Sequence, residues 1–168
     1  MSNSWPSPRY DVQQTASTQA SPSIPNTRFQ YRWNVRRAGP VTDLIIYSNK
    51  VFCVTEYGSV HAFDLETGQR QWSIAIDCIQ AKITAADAHL FVATDRLRMV
   101  DIDDGTILWE YEPDDGDDYS PASRFAPTVE TQLIIWSIRD RVVVLDKNTG
   151  EKTLAQGWFW TCTGFSDH

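Results

Sequence analysis

The residues that come closest to a chemical site are three aspartates and a glycine, Asp101, Asp103, Asp104 and Gly105. Closely spaced carboxylates before a glycine are typical of EF-hand calcium loops, which need Gly at the sixth position and Glu at the twelfth. Counted from Asp101, Gly105 falls fifth and Glu112 twelfth, so only one of the two anchors fits. Calcium is the lesser alternative, because a repeated turn also explains Asp101 and Gly105.

The other candidate ligands are scattered. A second acidic cluster, residues 114–118, has no ligand spacing, so it is interpreted as a solvated loop, with a cation-dependent loop as the lesser alternative. The cysteines form no C-x-x-C pair, and two histidines flank apolar runs singly, so neither a zinc ribbon nor a redox pair is indicated. These residues are Cys53, Cys78, Cys162, His61 and His89. Because known catalytic motifs are also absent, we assign no catalytic residue, metal or cofactor and expect no enzyme activity.

The turn that carries Asp101 recurs three times in the chain. Residues 62–72 read AFDLETGQRQW, residues 99–109 read MVDIDDGTILW, and residues 144–154 read VLDKNTGEKTL. The aspartates are spaced by 37 and then 45 residues, which indicates a repeat array. The repeated positions are Asp64, Gly68 and Trp72, then Asp101, Gly105 and Trp109, then Asp146 and Gly150.

Each repeated turn follows a pair of short runs that are rich in β-branched and aromatic residues. Such runs, bounded by turn residues, predict the strands of a hairpin. A further strand carries Trp72 or Trp109, and another apolar stretch, such as residues 44–47, precedes the pair. Four strands in roughly 40 residues is the size of one propeller blade. The paired runs are residues 51–55 and 59–63, 90–94 and 97–100, and 133–137 and 142–145.

These units resemble the PQQ-like β-propeller repeats of quinoprotein dehydrogenases and of the bacterial outer-membrane assembly lipoprotein. In that family an A-x-D-x-x-T-G-x-x-x-W segment forms a tryptophan-docking motif, whose Trp packs against the neighbouring blade. We therefore expect Trp72 and Trp109 to be largely buried at contacts between blades. The third copy departs from the motif, with Leu154 where Trp is expected, and Trp33 precedes Trp72 by 39 residues, as the end of an earlier unit would. The matching residues are Ala62, Asp64, Thr67, Gly68 and Trp72, then Asp101, Gly105 and Trp109, then Asp146, Thr149 and Gly150.

The resemblance implies an all-β fold, a partial β-propeller of about three four-stranded antiparallel blades plus a leading strand. Residues 1–27 are rich in Ser, Thr, Pro and Gln and predict an extended arm. Residues 28–168 form the partial propeller, with repeats near 34–74, 75–111 and 122–156. Because the family has seven or eight blades, we expect apolar faces at both ends, of which the aromatic residues 158–160 could cover one.

Charge and composition narrow the function. The net charge is -7, with 22 acidic against 15 basic residues, which disfavours nucleic-acid binding. A basic, apolar leader and a membrane-length apolar stretch are missing, which predicts a cytoplasmic protein without a membrane span. We expect a non-catalytic interaction or scaffold module that binds a protein partner or a second copy through its open faces. The alternative is a fragment of a quinone- or metal-dependent enzyme whose active-site blades lie outside the chain.

Overall fold

The structure is a computed structural model that describes residues 32–35, 39–78, 80–113, 125–138 and 141–153. In these ranges eleven strands form three antiparallel sheets, as the sequence predicts. The arm at residues 1–27, the acidic loop at 114–118 and the aromatic residues 158–160 lie outside the described residues. No helix with the length and hydropathy of a membrane span occurs in the described ranges.

Each sheet is a meander in which strands that follow one another along the chain are neighbours. The first sheet contains β1 (Val41–Tyr47), β2 (Lys50–Thr55), β3 (Ser59–Asp64) and β4 (Arg70–Ala75). The second contains β5 (Lys82–Ala86), β6 (His89–Ala93), β7 (Leu97–Asp101) and β8 (Ile107–Tyr111). The third contains β9 (Thr128–Val129), β10 (Leu133–Ile138) and β11 (Arg141–Asp146).

The third sheet and the leading segment are less regular than the two complete sheets. A single antiparallel bridge between Leu145 and Lys152 stands where a fourth strand would pair with β11. Residues 32–35 carry no strand pairing, and this leading segment reaches the first sheet through the side chain of Trp33.

The core consists of two apolar layers between neighbouring sheets. Phe52 and Val60 of the first sheet share one layer with Leu90 and Val100 of the second. The other face of the second sheet packs against the third sheet, where Trp136 is fully buried. Because the second sheet is covered on both faces, its strands β5 and β6 are each buried over four of their five residues and do not alternate between buried and exposed positions.

The β1–β2 and β5–β6 hairpins close through two-residue loops with left-handed backbone. The loops are Ser48-Asn49, with φ of 49° and 58°, and Asp87-Ala88, with φ of 49° and 62°. Two consecutive positive φ angles are typical of the type I′ turn, whose twist matches that of the flanking strands. Ala88 is unusual there, because a Cβ disfavours this conformation.

Candidate functional site

The first repeated turn is held by one carboxylate oxygen. Asp64 Oδ1 accepts hydrogen bonds from the backbone N–H of Glu66 at 3.0 Å, the N–H of Thr67 at 2.7 Å and the Thr67 hydroxyl at 2.8 Å. These bonds hold the pKa of Asp64 below its usual value, and those from Thr67 contribute most. The N–H of Gly68 donates to the Asp64 carbonyl at 2.9 Å, and a φ of 70° at this glycine ends the turn.

The other two turns repeat this geometry. Asp146 Oδ1 accepts from the N–H of Asn148 at 2.8 Å and of Thr149 at 3.0 Å, and Gly150 has a φ of 71°. Asp101 Oδ1 accepts from the N–H of Asp103 at 2.7 Å, and Gly105 has a φ of 80°. All three turns therefore use their aspartate to bind backbone N–H groups.

The aspartates considered for calcium have structural partners. Asp104 occupies the position of the turn threonine, and its Oδ1 accepts from the N–H of Thr106 at 2.8 Å. Thr67 Oγ1 does the same for the N–H of Gln69 at 3.2 Å. Within the described ranges, no group of three or more His, Cys, Asp or Glu residues could hold a metal ion. These contacts do not support the calcium alternative.

Each docking tryptophan contacts the turn of the following repeat. The indole Nε1 donates to the carbonyl of the residue after the turn aspartate in all three cases. The pairs are Trp33 with Leu65 at 2.8 Å, Trp72 with Ile102 at 3.0 Å and Trp109 with Lys147 at 3.0 Å.

The turn glycine lies against the same indole. A Cβ built on Gly68 would lie 2.6 Å from Cγ of Trp33. On Gly105 it would lie 2.9 Å from Cδ2 of Trp72, and on Gly150 2.8 Å from Cδ2 of Trp109. Glycine is therefore required at each turn for two reasons: it tolerates the positive φ, and it has no Cβ that would clash with the indole.

The tryptophans differ in burial. Trp72 is only 8% exposed and packs on Phe52, with ring centroids 5.7 Å apart. We expected Trp109 to be largely buried as well, but it is half-buried. The residue after the turn aspartate is the apolar Ile102 beneath Trp72 and the charged Lys147 beneath Trp109, so the second contact is less apolar.

Ion pairs accompany the docking contacts. Lys50 Nζ of the first sheet lies 2.7 Å from Asp103 Oδ1 in the turn of the second. Between the second and third sheets, Asp87 Oδ2 lies 2.5 Å from Lys147 Nζ. Arg32 lies 2.6 Å from Glu66, which occupies the same turn position as Asp103. The sequence does not predict these ion pairs, because no local pattern relates Lys50 to a turn residue 53 positions away.

The half-buried carboxylate of Asp43 joins β1 of the first sheet to β5 of the second. Asp43 Oδ2 accepts from the N–H of Ile83 at 3.1 Å, and Oδ1 accepts from the N–H of Leu44 at 3.0 Å. Burial raises the pKa of Asp43 despite these bonds. Thr84 makes a comparable link, since its hydroxyl donates to the Pro127 carbonyl at 2.9 Å.

The only cysteine and histidine that face one another across described strands are Cys53 and His61. Burial raises the pKa of Cys53 to about 11, so its thiol stays protonated at neutral pH. Burial also lowers the pKa of His61, whose buried Nδ1 has no hydrogen-bond partner in the described structure. A protonated thiol is a poor nucleophile, so the pair gives no sign of covalent catalysis.

Strand register identifies equivalent positions in the three sheets. The residue that pairs with the turn aspartate is Lys50, His89 or Leu133 in successive sheets. Counting along β2, β6 and β10 from these residues makes Ile135 equivalent to Phe52 and Phe91. Counting back from the turn aspartates makes Val142 equivalent to Val60 and Leu97.

These equivalent positions differ sharply in burial. Phe52, Val60, Phe91 and Leu97 face the following sheet and are fully buried. In the third sheet, Ile135 is 39% exposed and Val142 is 64% exposed. We call the surface formed by Ile135, Val142 and the half-buried Val144 the third-sheet face.

The face of the first sheet that points away from the second sheet is exposed to solvent at Leu44, whereas other described parts of it are covered. Leu44 on β1 is 47% exposed, although its equivalent in the second sheet, Ile83, is fully buried. On β2 and β3, by contrast, Val51 and Phe63 are buried in a cluster against which Trp33 packs. We call this surface, with Leu44 at its open part, the first-sheet face.

Solved structures show which fold these sheets share. Quinohemoprotein alcohol dehydrogenase from Comamonas testosteroni has a TM-score of 0.68 and 17% identity, over 89% of this chain and 26% of the enzyme. A europium-containing methanol dehydrogenase also has a TM-score of 0.68, with 15% identity, over 89% of this chain and 31% of that chain. BamB from Moraxella catarrhalis has a TM-score of 0.53 and 19% identity, over 62% of this chain and 33% of BamB.

The chain therefore has the fold of a partial PQQ-type β-propeller and spans less than a third of the two dehydrogenases. The computationally designed Ika4 protein is similar over most of its own length, with a TM-score of 0.64 and 18% identity over 75% of this chain and 78% of Ika4. No family model matches the chain, and no curated protein matches its sequence. At these identities the likeness concerns the fold alone.

Proposed function

We propose that this chain is a non-catalytic β-propeller module that binds another protein through the third-sheet face. The observation that carries the proposal is the exposure of Ile135 and Val142, at positions that are fully buried in the first two sheets. In those sheets the equivalent side chains form the interface with the next blade. The third-sheet face thus has the composition of a blade interface while it remains open to solvent.

The chemistry of this face favours a protein over other classes of ligand. Its β-branched side chains form a surface suited to packing against another sheet. Exposed apolar surface of this kind marks sites of protein association more often than scattered single residues do. The acidic balance of the chain, with a net charge of -7, opposes attraction to nucleic acid. A cytoplasmic location stays a prediction of the sequence.

Site-specific photo-crosslinking tests the proposal. A benzophenone amino acid replaces Val142, and the chain is expressed and irradiated in cells of its source. We expect a discrete covalent adduct with protein. Tyr57, which is 75% exposed in a loop of the first sheet, is the matched position for chance encounters. Equal crosslinking from positions 142 and 57 would overturn the proposal.

The second candidate is a fragment of a quinone- or metal-dependent enzyme. The names of two similar structures, an alcohol dehydrogenase and a methanol dehydrogenase, favour it. In the described ranges no side-chain cluster fits a metal ion, so this part of the chain does not supply such a site. Titration of the chain with PQQ and Ca²⁺, followed by quenching of its seven tryptophans, tests this alternative. Saturable quenching would favour the enzyme fragment over the module.

A further inference from the structure

We propose that the third-sheet face binds the first-sheet face of a second copy of this chain, head to tail. This inference rests on the proposed function and names the partner. Such a contact would continue the stacking that already joins the first sheet to the second and the second to the third. It would bury Ile135 and Val142 as their equivalents are buried, and it would cover Leu44 as Ile83 is covered.

The tryptophan contacts are consistent with pairing of the two faces. In the first two sheets, a blade supplies a tryptophan to the turn of the next blade, from Trp72 or Trp109. In the third repeat, Leu154 stands at the motif position of this tryptophan. The turn of the first sheet already has a docking tryptophan, because Trp33 of the same chain donates to the Leu65 carbonyl at 2.8 Å.

The ion pairs are consistent with the same pairing. Lys50 of the first sheet pairs with Asp103 in the turn of the second. Its equivalent in the third sheet is Leu133, which cannot pair with an acidic turn residue. In the first turn, Glu66 is the equivalent of Asp103 and is already paired with Arg32 at 2.6 Å. Trp33 and Arg32 of the leading segment thus make the tryptophan contact and the ion pair at the first turn.

The number of blades sets the size of the assembly. A head-to-tail contact between identical chains repeats until it closes a ring or forms a filament. The described residues form three sheets, so two copies of this part make six, which lies within the range of about four to eight blades in propellers. Three copies would make nine, outside that range. We therefore infer a closed dimer with a twofold axis along the propeller axis.

Light scattering coupled to size-exclusion chromatography tests the inference with the full chain. We expect the wild type to be a dimer over a concentration series. Val142→Asp and Leu44→Asp should each raise the dissociation constant about 30-fold or more, because either places a carboxylate in an apolar interface. Leu108→Asp is the matched control, since Leu108 is 46% exposed but lies in the second sheet, away from both faces. This variant should remain dimeric.

Mixing two variants tests the direction of the contact. Leu44→Asp and Val142→Lys should each be monomeric alone. Mixed in equal amounts, they should form a heterodimer, because one interface is then wild-type at both positions and the other joins the new carboxylate to the new ammonium. A dimer in which two third-sheet faces meet would not be broken by Leu44→Asp, and that outcome would overturn the head-to-tail arrangement.

Other results separate this inference from the proposed function. A monomeric wild type at every concentration would overturn the inference, whereas an adduct between position 142 and a different protein would still support the proposed function. Absence of both the dimer and the adduct would overturn both. Circular dichroism checks that each variant is folded. If the charged variants unfold, Val142→Thr and Leu44→Thr provide milder versions that should still weaken the dimer.

Discussion

The indole of Trp72 lies on Gly105, a residue of the next sheet, so closely that a Cβ there would lie 2.9 Å from Cδ2 of the tryptophan. The same indole donates to the carbonyl of Ile102 at 3.0 Å. Along the sequence, each aspartate, glycine and tryptophan appear as one motif. In the structure the tryptophan packs on the turn of the following repeat and donates a hydrogen bond to it, so the motif joins neighbouring blades.

Loss of the docking tryptophan should destabilise the chain. We expect Trp72→Ala to lower the free energy of unfolding by about 3–5 kcal/mol, because it removes a buried indole and leaves a cavity. Trp109→Ala should cost less, since Trp109 is only half-buried. Urea denaturation followed by circular dichroism measures both. Equal and small effects, within the error of the wild type, would show that docking contributes little to stability.

The contact between Trp72 and Gly105 should appear as a coupling free energy. Gly105→Ala combines an unfavourable φ with overlap of the indole, so we expect a cost of about 2–4 kcal/mol. In a Trp72→Ala background only the backbone strain remains, at about 1–2 kcal/mol. Gly58→Ala is the control, because Gly58 also has a positive φ of 69° but its Cβ would face backbone atoms of residues 77 and 78. Its effect should add to that of Trp72→Ala.

Ala88 offers a stabilising substitution. Its φ of 62° is costly for a residue with a Cβ, and the type I′ turn favours glycine at this position. We expect Ala88→Gly to raise the free energy of unfolding by about 0.5–1 kcal/mol, the relief of strain less the extra entropy of the unfolded chain. Ala85→Gly, at a fully buried strand position, should do the opposite. A lower stability for Ala88→Gly, measured by urea denaturation, would mean that this hairpin is not strained.

Acid should weaken the repeated turns. The pKa of Asp64 is lowered chiefly by the bonds from Thr67, and that of Asp146 by the N–H groups of Thr149 and Asn148. A lowered folded-state pKa means that each carboxylate stabilises the fold above its unfolded pKa, near 3.8, and that this contribution is lost as the pH falls through the folded-state value.

Asp64→Asn isolates the charge, because all of the hydrogen bonds to this side chain reach a single oxygen that an amide retains. We expect the variant to be less stable than the wild type at about pH 7 and to approach it at a pH below the folded-state pKa of Asp64, where both side chains are neutral. Denaturation at the two pH values measures the difference. A difference that does not change with pH would assign the effect to geometry alone.

The turns could be predicted from the sequence because their geometry is local. Asp64 and Gly68 are four residues apart, and their conformations follow from their own side chains. The strands could be predicted for the same reason. The relation between Lys50 and Asp103 could not, because it depends on how one sheet is placed against the next.

Burial and strain also escaped prediction. Trp109 is half-buried and contacts Lys147, in the turn after β11, 38 residues away along the chain, and such long-range packing cannot be read from the local sequence. The left-handed Ala88 gave no signal, because alanine is not a residue that marks a type I′ turn. The open faces were expected, but their positions became clear only from the strand register that relates Val142 to Val60 and Leu97.

The forward direction of the tryptophan contacts has a consequence for synthesis. Each contact links residues separated by 32, 30 or 38 positions, so each tryptophan hydrogen bond spans about one blade. A nascent chain can therefore attach each new blade to the preceding one as soon as its turn has left the ribosome. Ribosome-bound chains of increasing length should gain protease resistance in steps of one blade, and a single late transition would contradict this order.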